Sequence, residues 1–417
     1  MATLRIAGGR RLAGRVDVEG NKNAALPLLA ACLLTERRCV LSNMPRIRDV
    51  DVMAELLVSL GAEIDGIGTS RLEVCCREVT SDSPDPGLVG RLRGSVLLFG
   101  PLLARRGRAC LAEPGGDFPA RRTISTHLQA LTAMGARPVA GNAHALEVPD
   151  GLRSASMFLQ EASVTGTETA VLAAAAAPGV SRIRHAACEP HVVELCDFLG
   201  RLGVSVTGAG TSTIVVEGGV TLGAAEHRLH GDYIEAGSWA VVAAVTHGAI
   251  EVHGARAEDL EVIAAPLVHM GVRCRYDDGV LRIDESTPLG AGRLTTGLWP
   301  GFPSDLVSLM TVLATQADGQ TLVHDWMYEL RLFALEQLSG MGADLFLCDP
   351  HRIIVRGSRR LRGRSLDSRD LRSGMALIAA ALAADGESDV APLETVERGY
   401  ARLVPRLREL GASVEPS

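Results

Sequence analysis

The chain has 417 residues, which is long for a single hydrophobic core and favours two domains of about 200 residues each. Hydrophobic residues make up 47% of the chain and aromatic residues only 3%, so we expect a core built from Ala, Val, Leu and Ile. The net charge is −7 and the basic residues are spread along the chain, which argues against a nucleic-acid-binding surface.

The first residues show no basic-then-apolar signal segment, and no uninterrupted apolar stretch reaches 18 residues. We therefore expect a cytoplasmic protein without a membrane partner. The nine cysteines include no C-x-x-C pair, and the eleven histidines lack ligand spacing. The sequence thus predicts reduced structural thiols, no metal site and no cofactor.

The first strongly patterned segment is "EGNKNAALPLLAACLL", residues 19–34, which predicts a buried helix because no charge follows Lys22 for twelve positions. We expect Asn23 to be the N-cap and Pro27 to lie in the first turn. The free N–H groups of such a helix start favour an anion, and Lys22 adds a full charge. The alternative is a capped core helix whose lysine reaches solvent.

A phrase of the form Leu-x-x-x-Gly-(Ala/Val) recurs six times at intervals of about 70 residues. Each copy predicts the last turn of an amphipathic helix, a glycine at the helix end, and then a strand. The glycines of the six copies are Gly61, Gly135, Gly203, Gly271, Gly342 and Gly411.

Between these phrases lie six Ala- and Leu-rich segments, each of which predicts a buried helix that is polar at its start. Six repeats of buried helix, strand, exposed helix and strand predict two domains of three repeats. We place residues 1–20 with 230–417 in a discontinuous domain and residues 21–229 in the other, with the strand "ATLRIAGG" able to pair with either. If equivalent helices point the same way, Lys22 and Asn23 line a cleft ringed by helix N-termini that suits anionic small molecules.

Several motifs resemble those of the enolpyruvyl transferase family, in order and spacing along the whole chain. "GNKNAALP", "LRGS", "GGDFPARR", "GFPSD", "DLR" and "ERGY" are similar to its G-x-K-N-x-x-L/A-P, R-A-S, G-G-(C/D)-x-x-G-x-R, F-P-T-D, D-x-R and D-R-G-Y motifs. The closest resemblance is to the UDP-N-acetylglucosamine 1-carboxyvinyltransferase branch. The branch that acts on shikimate 3-phosphate has serine and arginine after the lysine of its opening motif, which this chain lacks.

The resemblance implies an α/β fold, a two-domain inside-out α/β barrel of six βαβαββ-type repeats with three per domain. It also implies transfer of the enolpyruvyl group from phosphoenolpyruvate to a hydroxyl of a uridine nucleotide, by addition and then elimination of phosphate. The oligomeric state is left open.

The family match assigns roles to individual residues. Lys22, Arg122 and Arg398 match contacts to phosphoenolpyruvate, and arginine forks suit its phosphate and carboxylate. Asp305 matches the base that takes the acceptor proton, although an aspartate after Ser304 is also a plausible helix cap. Lys22, Asp117, Asp305 and Arg398 are the predicted catalytic residues. The predicted substrate-binding residues are Asn23, Arg93, Arg122, His127, Ser163, Val164, Thr165, Arg331, Asp370 and Arg372.

Asp117 stands where most family members carry cysteine. An aspartate after two glycines is ordinarily a turn residue, but here the resemblance implies a proton donor to the phosphoenolpyruvate methylene or a group that gates product release. A carboxylate cannot form the thioether by which fosfomycin inactivates cysteine-bearing members, so we expect insensitivity to fosfomycin.

Departures from the family pattern concentrate on the acceptor side. Thr123 to Thr126 replace the segment that usually cradles the uracil, Glu161 stands where a neutral or basic residue is common, and Leu330 replaces an asparagine. Three hypotheses follow: a transferase that uses UDP-N-acetylglucosamine in peptidoglycan synthesis, a paralogue that uses another uridine nucleotide such as UMP in nucleoside-antibiotic biosynthesis, or a non-catalytic uridine-nucleotide-binding relative. The retained Lys22 and Asp305 argue against the third.

Overall fold

The computed structural model describes residues 2–115, 123–142, 144–277, 279–285, 288–328 and 331–417. Among these residues, one compact unit comprises residues 2–19 and 231–417, and the other comprises residues 20–115 and 123–230. We call them the terminal unit and the inserted unit. The terminal unit begins with strands β1 (Leu4–Ala7) and β2 (Ala13–Asp17).

The inserted unit contains seven α-helices among its described residues, preceded in one case by a 3-10 segment at Arg93–Leu98. The helices are α1 (Lys22–Cys32), α2 (Arg48–Ser59), α3 (Pro86–Val89), α4 (Phe99–Arg106), α5 (Ser125–Ala133), α6 (Val164–Ala176) and α7 (Pro190–Leu202). The strands are β3 (Cys39–Ser42), β4 (Glu63–Asp65), β5 (Arg71–Cys75), β6 (Arg108–Cys110), β7 (Arg137–Pro138), β8 (Ala145–Glu147), β9 (Ser156–Phe158), β10 (Gly179–Arg184), β11 (Ser205–Thr207), β12 (Thr213–Gly218) and β13 (Ala225–Arg228).

The rest of the terminal unit likewise alternates helices and strands, with 3-10 segments at Ser304–Leu306 and Arg331–Leu335. Its helices are α8 (Tyr233–Val245), α9 (Ala257–His269), α10 (Val307–Gln316), α11 (Glu336–Gly340), α12 (Leu371–Ala383), α13 (Leu393–Glu397) and α14 (Leu403–Glu409). Its strands are β14 (Ala249–His253), β15 (Cys274–Asp277), β16 (Val280–Ile283), β17 (Arg293–Thr295), β18 (Gly319–His324), β19 (Asp344–Asp349), β20 (Arg352–Gly357), β21 (Ser365–Asp367), β22 (Glu387–Ala391) and β23 (Ser413–Pro416).

The βαβαββ repeat appears in both units. In the inserted unit, β9, α6, β10, α7, β11 and β12 follow one another, and their strands form one sheet in the order β11-β12-β10-β9. The terminal unit has the same succession of elements in β17, α10, β18, α11, β19 and β20. Their strands form one sheet in the order β17-β18-β20-β19. In each sheet the first two strands of the repeat are parallel and the others antiparallel. The predicted α/β class is therefore confirmed, as a set of separate open sheets among the described residues.

Three repeats complete their sheets with a strand from elsewhere in the same unit. β13 pairs in parallel with β3, and β2 pairs in parallel with β14. β1 lies between β22 and β23, antiparallel to both. Both N-terminal strands thus belong to the terminal unit, which decides the pairing that the sequence left open.

The six recurring glycines all have positive φ, between 88° and 108°. Each follows the last turn of a helix and precedes a strand, as the repeated phrase predicts. A residue with a Cβ is strained in this conformation, and this strain explains why glycine recurs at the six positions.

The Ala- and Leu-rich helices form the centre of each unit. All thirteen residues of α8 are buried, and so are twelve of the thirteen residues of α12. A helix that is apolar on every side must be surrounded by other elements, and its ends are then the parts that can present polar groups to a ligand. The nine cysteines are all unpaired, and four of them are buried.

Candidate active site

α1 begins at Lys22, and its N-cap is Asn21 rather than the predicted Asn23. The Asn21 side chain accepts hydrogen bonds from the backbone N–H groups of Asn23 (2.8 Å) and Ala24 (3.2 Å). The prediction of the cap was wrong because two asparagines with equal capping ability stand two residues apart. Pro27 consequently lies in the second turn, where it cannot donate the helical hydrogen bond to the Asn23 carbonyl.

Lys22 at the start of α1 is paired with Asp49 in the first turn of α2. Its Nζ lies 2.7 Å from Asp49 Oδ2, and the two side chains are 12% and 4% exposed. The Lys22 side chain is therefore largely buried and held in an ion pair. Asn23 lies beside it, half-buried.

The predicted acceptor-side residues gather where α5, α6 and the segment at Arg93 meet in the inserted unit. His127 Nε2 and Thr165 Oγ1 are 2.8 Å apart. Arg93 Nη2 donates to the Thr123 carbonyl at 2.9 Å. Thr126 Oγ1 donates to Glu161 Oε1 at 3.3 Å. We call this group, His127, Thr165, Arg93, Thr126 and Glu161, the His127 cluster.

His127 is neutral at physiological pH. Its burial, and next the positive charge of Arg93, lower the pKa of the imidazole from 6.5 to about 4. A neutral ring recognises a ligand through hydrogen bonding and shape rather than through charge.

The start of α6 supplies the other predicted contacts of this cluster. Ser163 is the N-cap, and its side chain accepts a hydrogen bond from the Gly166 N–H at 3.2 Å. Val164 and Thr165 are then the first two residues of the helix, both half-buried. Glu161 is exposed just before the cap, so it places a negative charge near a helix N-terminus.

Asp305 lies in the 3-10 segment that precedes α10, in the terminal unit. Its Oδ1 is 3.2 Å from Arg331 Nη1, and its Oδ2 is 2.9 Å from Arg372 Nη2. The caps of the 3-10 segment and of α10 are Pro303 and Leu306, which make no side-chain capping bond. Asp305 is therefore held by two guanidiniums, one on each carboxylate oxygen.

Both guanidiniums are firmly charged. Burial is the largest single influence and lowers the pKa of Arg372 and Arg331, but the combined attraction of Asp305 and the other neighbouring groups outweighs it and raises the pKa of each. Behind Arg372, its Nη1 donates to the Tyr400 hydroxyl at 3.3 Å. Behind Arg331, its Nη1 donates to Ser304 Oγ at 2.7 Å. Ser304 Oγ in turn donates to Asp325 Oδ2. We use the name Asp305 cluster for the residues joined by these contacts, which are Asp305, Arg331, Arg372, Tyr400, Ser304 and Asp325.

Asp370 is the N-cap of α12 and accepts hydrogen bonds from the backbone N–H groups of Arg372 (3.0 Å) and Ser373 (2.9 Å). The Asp370 carboxylate thus caps the turn of α12 that carries Arg372. Its predicted role in substrate binding stays a prediction. Arg398 follows α13 directly and is half-buried.

Two predicted residues, Asp117 and Arg122, lie outside the described residues, and so does the Leu330 departure. Sequence reasoning missed Asp49, Asp325 and Tyr400. Asp49 and Asp51 both fall in the first turn of α2, and the sequence offers no sign of which one is buried. Asp325 directly follows β18, and a charged residue at the end of a strand was the available signal.

Within the described part of the chain, no helix is long and apolar enough to cross a membrane. No group of three or more His, Cys, Asp or Glu among the same residues is arranged to hold a metal ion.

Comparison with known proteins places this geometry in a family. Residues 6–407 match the family model described as EPSP synthase (3-phosphoshikimate 1-carboxyvinyltransferase). The UDP-N-acetylglucosamine 1-carboxyvinyltransferase of Bradyrhizobium diazoefficiens is 41% identical over 418 aligned positions that cover 98% of this chain and 97% of the relative. The enzyme of the same name from Treponema denticola is 39% identical, with 98% of each chain covered.

Solved structures show the same fold. The enolpyruvyl transferase NikO from Streptomyces tendae superposes with a TM-score of 0.90 at 24% identity, covering 100% of this chain and 99% of that one. EPSP synthase from Acinetobacter baumannii superposes with a TM-score of 0.78 at 18% identity, with both chains covered completely. The chain therefore belongs to the EPSP synthase family of enolpyruvyl transferases.

Proposed function

We propose that this transferase moves the enolpyruvyl group of phosphoenolpyruvate to a hydroxyl of a uridine nucleotide and releases inorganic phosphate. The observation that carries the proposal is the position of Asp305 at the start of a buried helix, with Arg331 and Arg372 on its two carboxylate oxygens. A carboxylate fixed in this way is suited to accept a proton, and the neighbouring cations are suited to anionic substrates.

The proposed reaction balances without any cofactor. Asp305 takes the proton of the acceptor hydroxyl while that oxygen bonds to C2 of phosphoenolpyruvate, and C3 gains a proton. The tetrahedral ketal then loses phosphate from C2 and a proton from C3, which restores the double bond. Lys22, Arg122 and Arg398 are proposed to bind phosphate and carboxylate, and Asp117 to donate the proton to C3.

UDP-N-acetylglucosamine is the first acceptor to test. Several relatives that are 35 to 41% identical to this chain carry the name UDP-N-acetylglucosamine 1-carboxyvinyltransferase. The acceptor-side positions His127, Ser163 and Thr165 are brought together in the structure by one hydrogen bond and one helix cap.

UMP is the second candidate, and Glu161 favours it. The Glu161 carboxylate is tied to Thr126, one residue before His127, by a 3.3 Å hydrogen bond. A second phosphate near this carboxylate would be repelled, whereas a nucleotide with one phosphate would not extend so far. Because Glu161 is exposed, solvent and salt weaken the repulsion, so it sets a preference and does not exclude the diphosphate.

A panel of acceptors tests the proposal. The protein is incubated with phosphoenolpyruvate and UDP-N-acetylglucosamine, UDP, UMP, uridine or AMP, and phosphate release and product mass are followed. We expect phosphate and an enolpyruvyl product with at least one uridine nucleotide and none with AMP. Absence of turnover with every uridine compound would contradict the proposed acceptor class. We also expect no inactivation by fosfomycin, because Asp117 replaces the cysteine nucleophile.

A further inference from the structure

Asp325 is a fully buried carboxylate with a defined set of partners. It directly follows β18, and the residue is 0% exposed. Its Oδ1 accepts hydrogen bonds from Thr296 Oγ1 at 2.8 Å and from the Met327 N–H at 3.3 Å. Its Oδ2 accepts a hydrogen bond from Ser304 Oγ at 2.7 Å. A carboxylate removed from water in this way requires hydrogen bonds and a nearby positive charge.

Ser304 connects this carboxylate to Arg331. Its hydroxyl has one proton, which it donates to Asp325, so its lone pairs face the Arg331 Nη1 that donates to it at 2.7 Å. The same Nη1 reaches Asp305 Oδ1 at 3.2 Å. The negative charge of Asp325 therefore fixes the direction of the hydroxyl, and the hydroxyl fixes one nitrogen of the guanidinium.

The two arginines that hold Asp305 are supported differently. Arg372 is supported by the neutral Tyr400 hydroxyl, which in turn bonds Ser238 Oγ at 2.8 Å. Arg331 is supported by the Ser304 hydroxyl and the charge of Asp325, and its guanidinium lies 4.6 Å from the ring centre of Tyr328. Two carboxylates and two guanidiniums thus alternate through the cluster, and Ser304 stands between Asp325 and Arg331.

We propose that Asp325 is a positioning residue for the transfer reaction, which acts through Ser304 to hold Arg331 against Asp305. This inference rests on the proposed role of Asp305 as the base. A long arginine side chain has many rotamers, and a second anchor behind its guanidinium reduces the positions it can take. Asp325 touches neither substrate in this scheme, so its effect appears in the chemical step and not in substrate binding.

Variants of Ser304 test the connection. Ser304→Ala removes the hydroxyl and should lower kcat about tenfold, because a small displacement of a catalytic group has effects of this size or larger. The KM for phosphoenolpyruvate should change less than about threefold, since uniform binding is untouched. Ser304→Thr keeps the hydroxyl, and the related family motif carries threonine at this position, so it should restore most of the rate.

The control is Thr311→Val on α10. It also removes a buried hydroxyl, but the hydrogen bond of Thr311 Oγ1 among the described residues goes to the Val307 carbonyl of its own helix, at 2.9 Å. Melting temperatures of Ser304→Ala and Thr311→Val should be similar, while only the former loses turnover. An equal loss of kcat in both variants, or in Ser304→Thr, would overturn the proposal.

Asp325→Asn provides a second route to the same result. Thr296 and Met327 keep the amide oxygen on their side, so the amide NH₂ faces Ser304 and the hydroxyl no longer has a fixed acceptor. We expect a kcat loss similar to that of Ser304→Ala, and no further loss when the two changes are combined. Independent, multiplying losses would overturn the proposal.

The outcome separates this inference from the proposed function. If the unmodified protein shows no transfer to any uridine nucleotide, the proposed function fails. If it turns over but Ser304→Ala is as active as the unmodified protein, this inference fails alone. A double-mutant cycle of Ser304→Ala with Arg331→Met in unfolding free energy tests the connection without activity, and additive effects there would overturn it.

Discussion

The His127 cluster and the Asp305 cluster differ in how they use charge. The His127 cluster contains a neutral imidazole that is hydrogen-bonded to Thr165, the guanidinium of Arg93 bonded to a backbone carbonyl, and the exposed carboxylate of Glu161 bonded to a hydroxyl. The Asp305 cluster contains two arginines whose pKa values are raised, between carboxylates that are buried or partly buried. In the first cluster each of these hydrogen bonds therefore has at most one charged partner, whereas the second cluster is held together by pairs of opposite charges.

This difference explains where the sequence departs from its family pattern. A hydrogen bond with at most one charged partner can be altered one residue at a time, because the group left behind loses one hydrogen bond and not the partner of a buried charge. A network of alternating buried charges cannot, since loss of one member leaves another charge unpaired. We infer that recognition of the acceptor is assigned to the His127 cluster and the chemical step to the Asp305 cluster.

The largest expected effect belongs to the Asp305 cluster. Asp305→Ala should lower kcat by about 10² or more, the usual consequence of removing a general base, and leave acceptor binding largely intact. Phosphate release and calorimetry measure the two quantities. Asp389→Ala, which removes an exposed aspartate paired with Arg5, is the matched control. Normal turnover in Asp305→Ala would remove the base role.

The second effect concerns the charge state of His127. Its pKa is about 4 in the folded protein and 6.5 when unperturbed, so the unfolded chain binds more protons between these values. The free energy of unfolding is therefore unaffected by this group above pH 6.5 and decreases as the pH falls below that value. The decrease amounts to about 3 kcal/mol at pH 4. Arg93 is the charged neighbour that opposes protonation.

His127→Gln removes this titration and keeps a hydrogen-bonding group. Denaturant unfolding of both proteins is measured at pH 7, 5.5 and 4. As the pH falls, the free energy of unfolding of the unmodified protein should decrease steadily relative to that of the variant. A difference that does not depend on pH would show that His127 titrates normally in the folded protein.

The two clusters were not equally predictable from the sequence. The motif resemblance pointed to Asp305, Arg331, Arg372 and His127, and the repeated helix pattern placed Asp305 and Arg372 at helix starts. The partners of these residues did not follow, because Asp49 and Asp325 are distinguished from other acidic residues only by tertiary burial. The shift of the cap from Asn23 to Asn21 has a similar cause, since backbone conformation at one residue decides between two equal side chains.

The smallest expected effect is a change of acceptor preference. Glu161→Lys reverses a charge beside α6 and should raise the preference for UDP-N-acetylglucosamine over UMP by about tenfold at low ionic strength, and by less at high salt. Glu217→Lys on β12 changes the same charge on an exposed position elsewhere in the inserted unit and should leave the preference unaltered. An unchanged preference in Glu161→Lys would separate Glu161 from acceptor choice.

One competition experiment tests the division of roles most directly. The unmodified protein, Glu161→Lys and Ser304→Ala are each given phosphoenolpyruvate with equal concentrations of UDP-N-acetylglucosamine and UMP, and the two enolpyruvyl products are quantified over time. The account predicts that Glu161→Lys changes the ratio of products, and that Ser304→Ala lowers the total rate without changing the ratio. A ratio that shifts in Ser304→Ala, or a ratio that is the same in all three proteins, would contradict it.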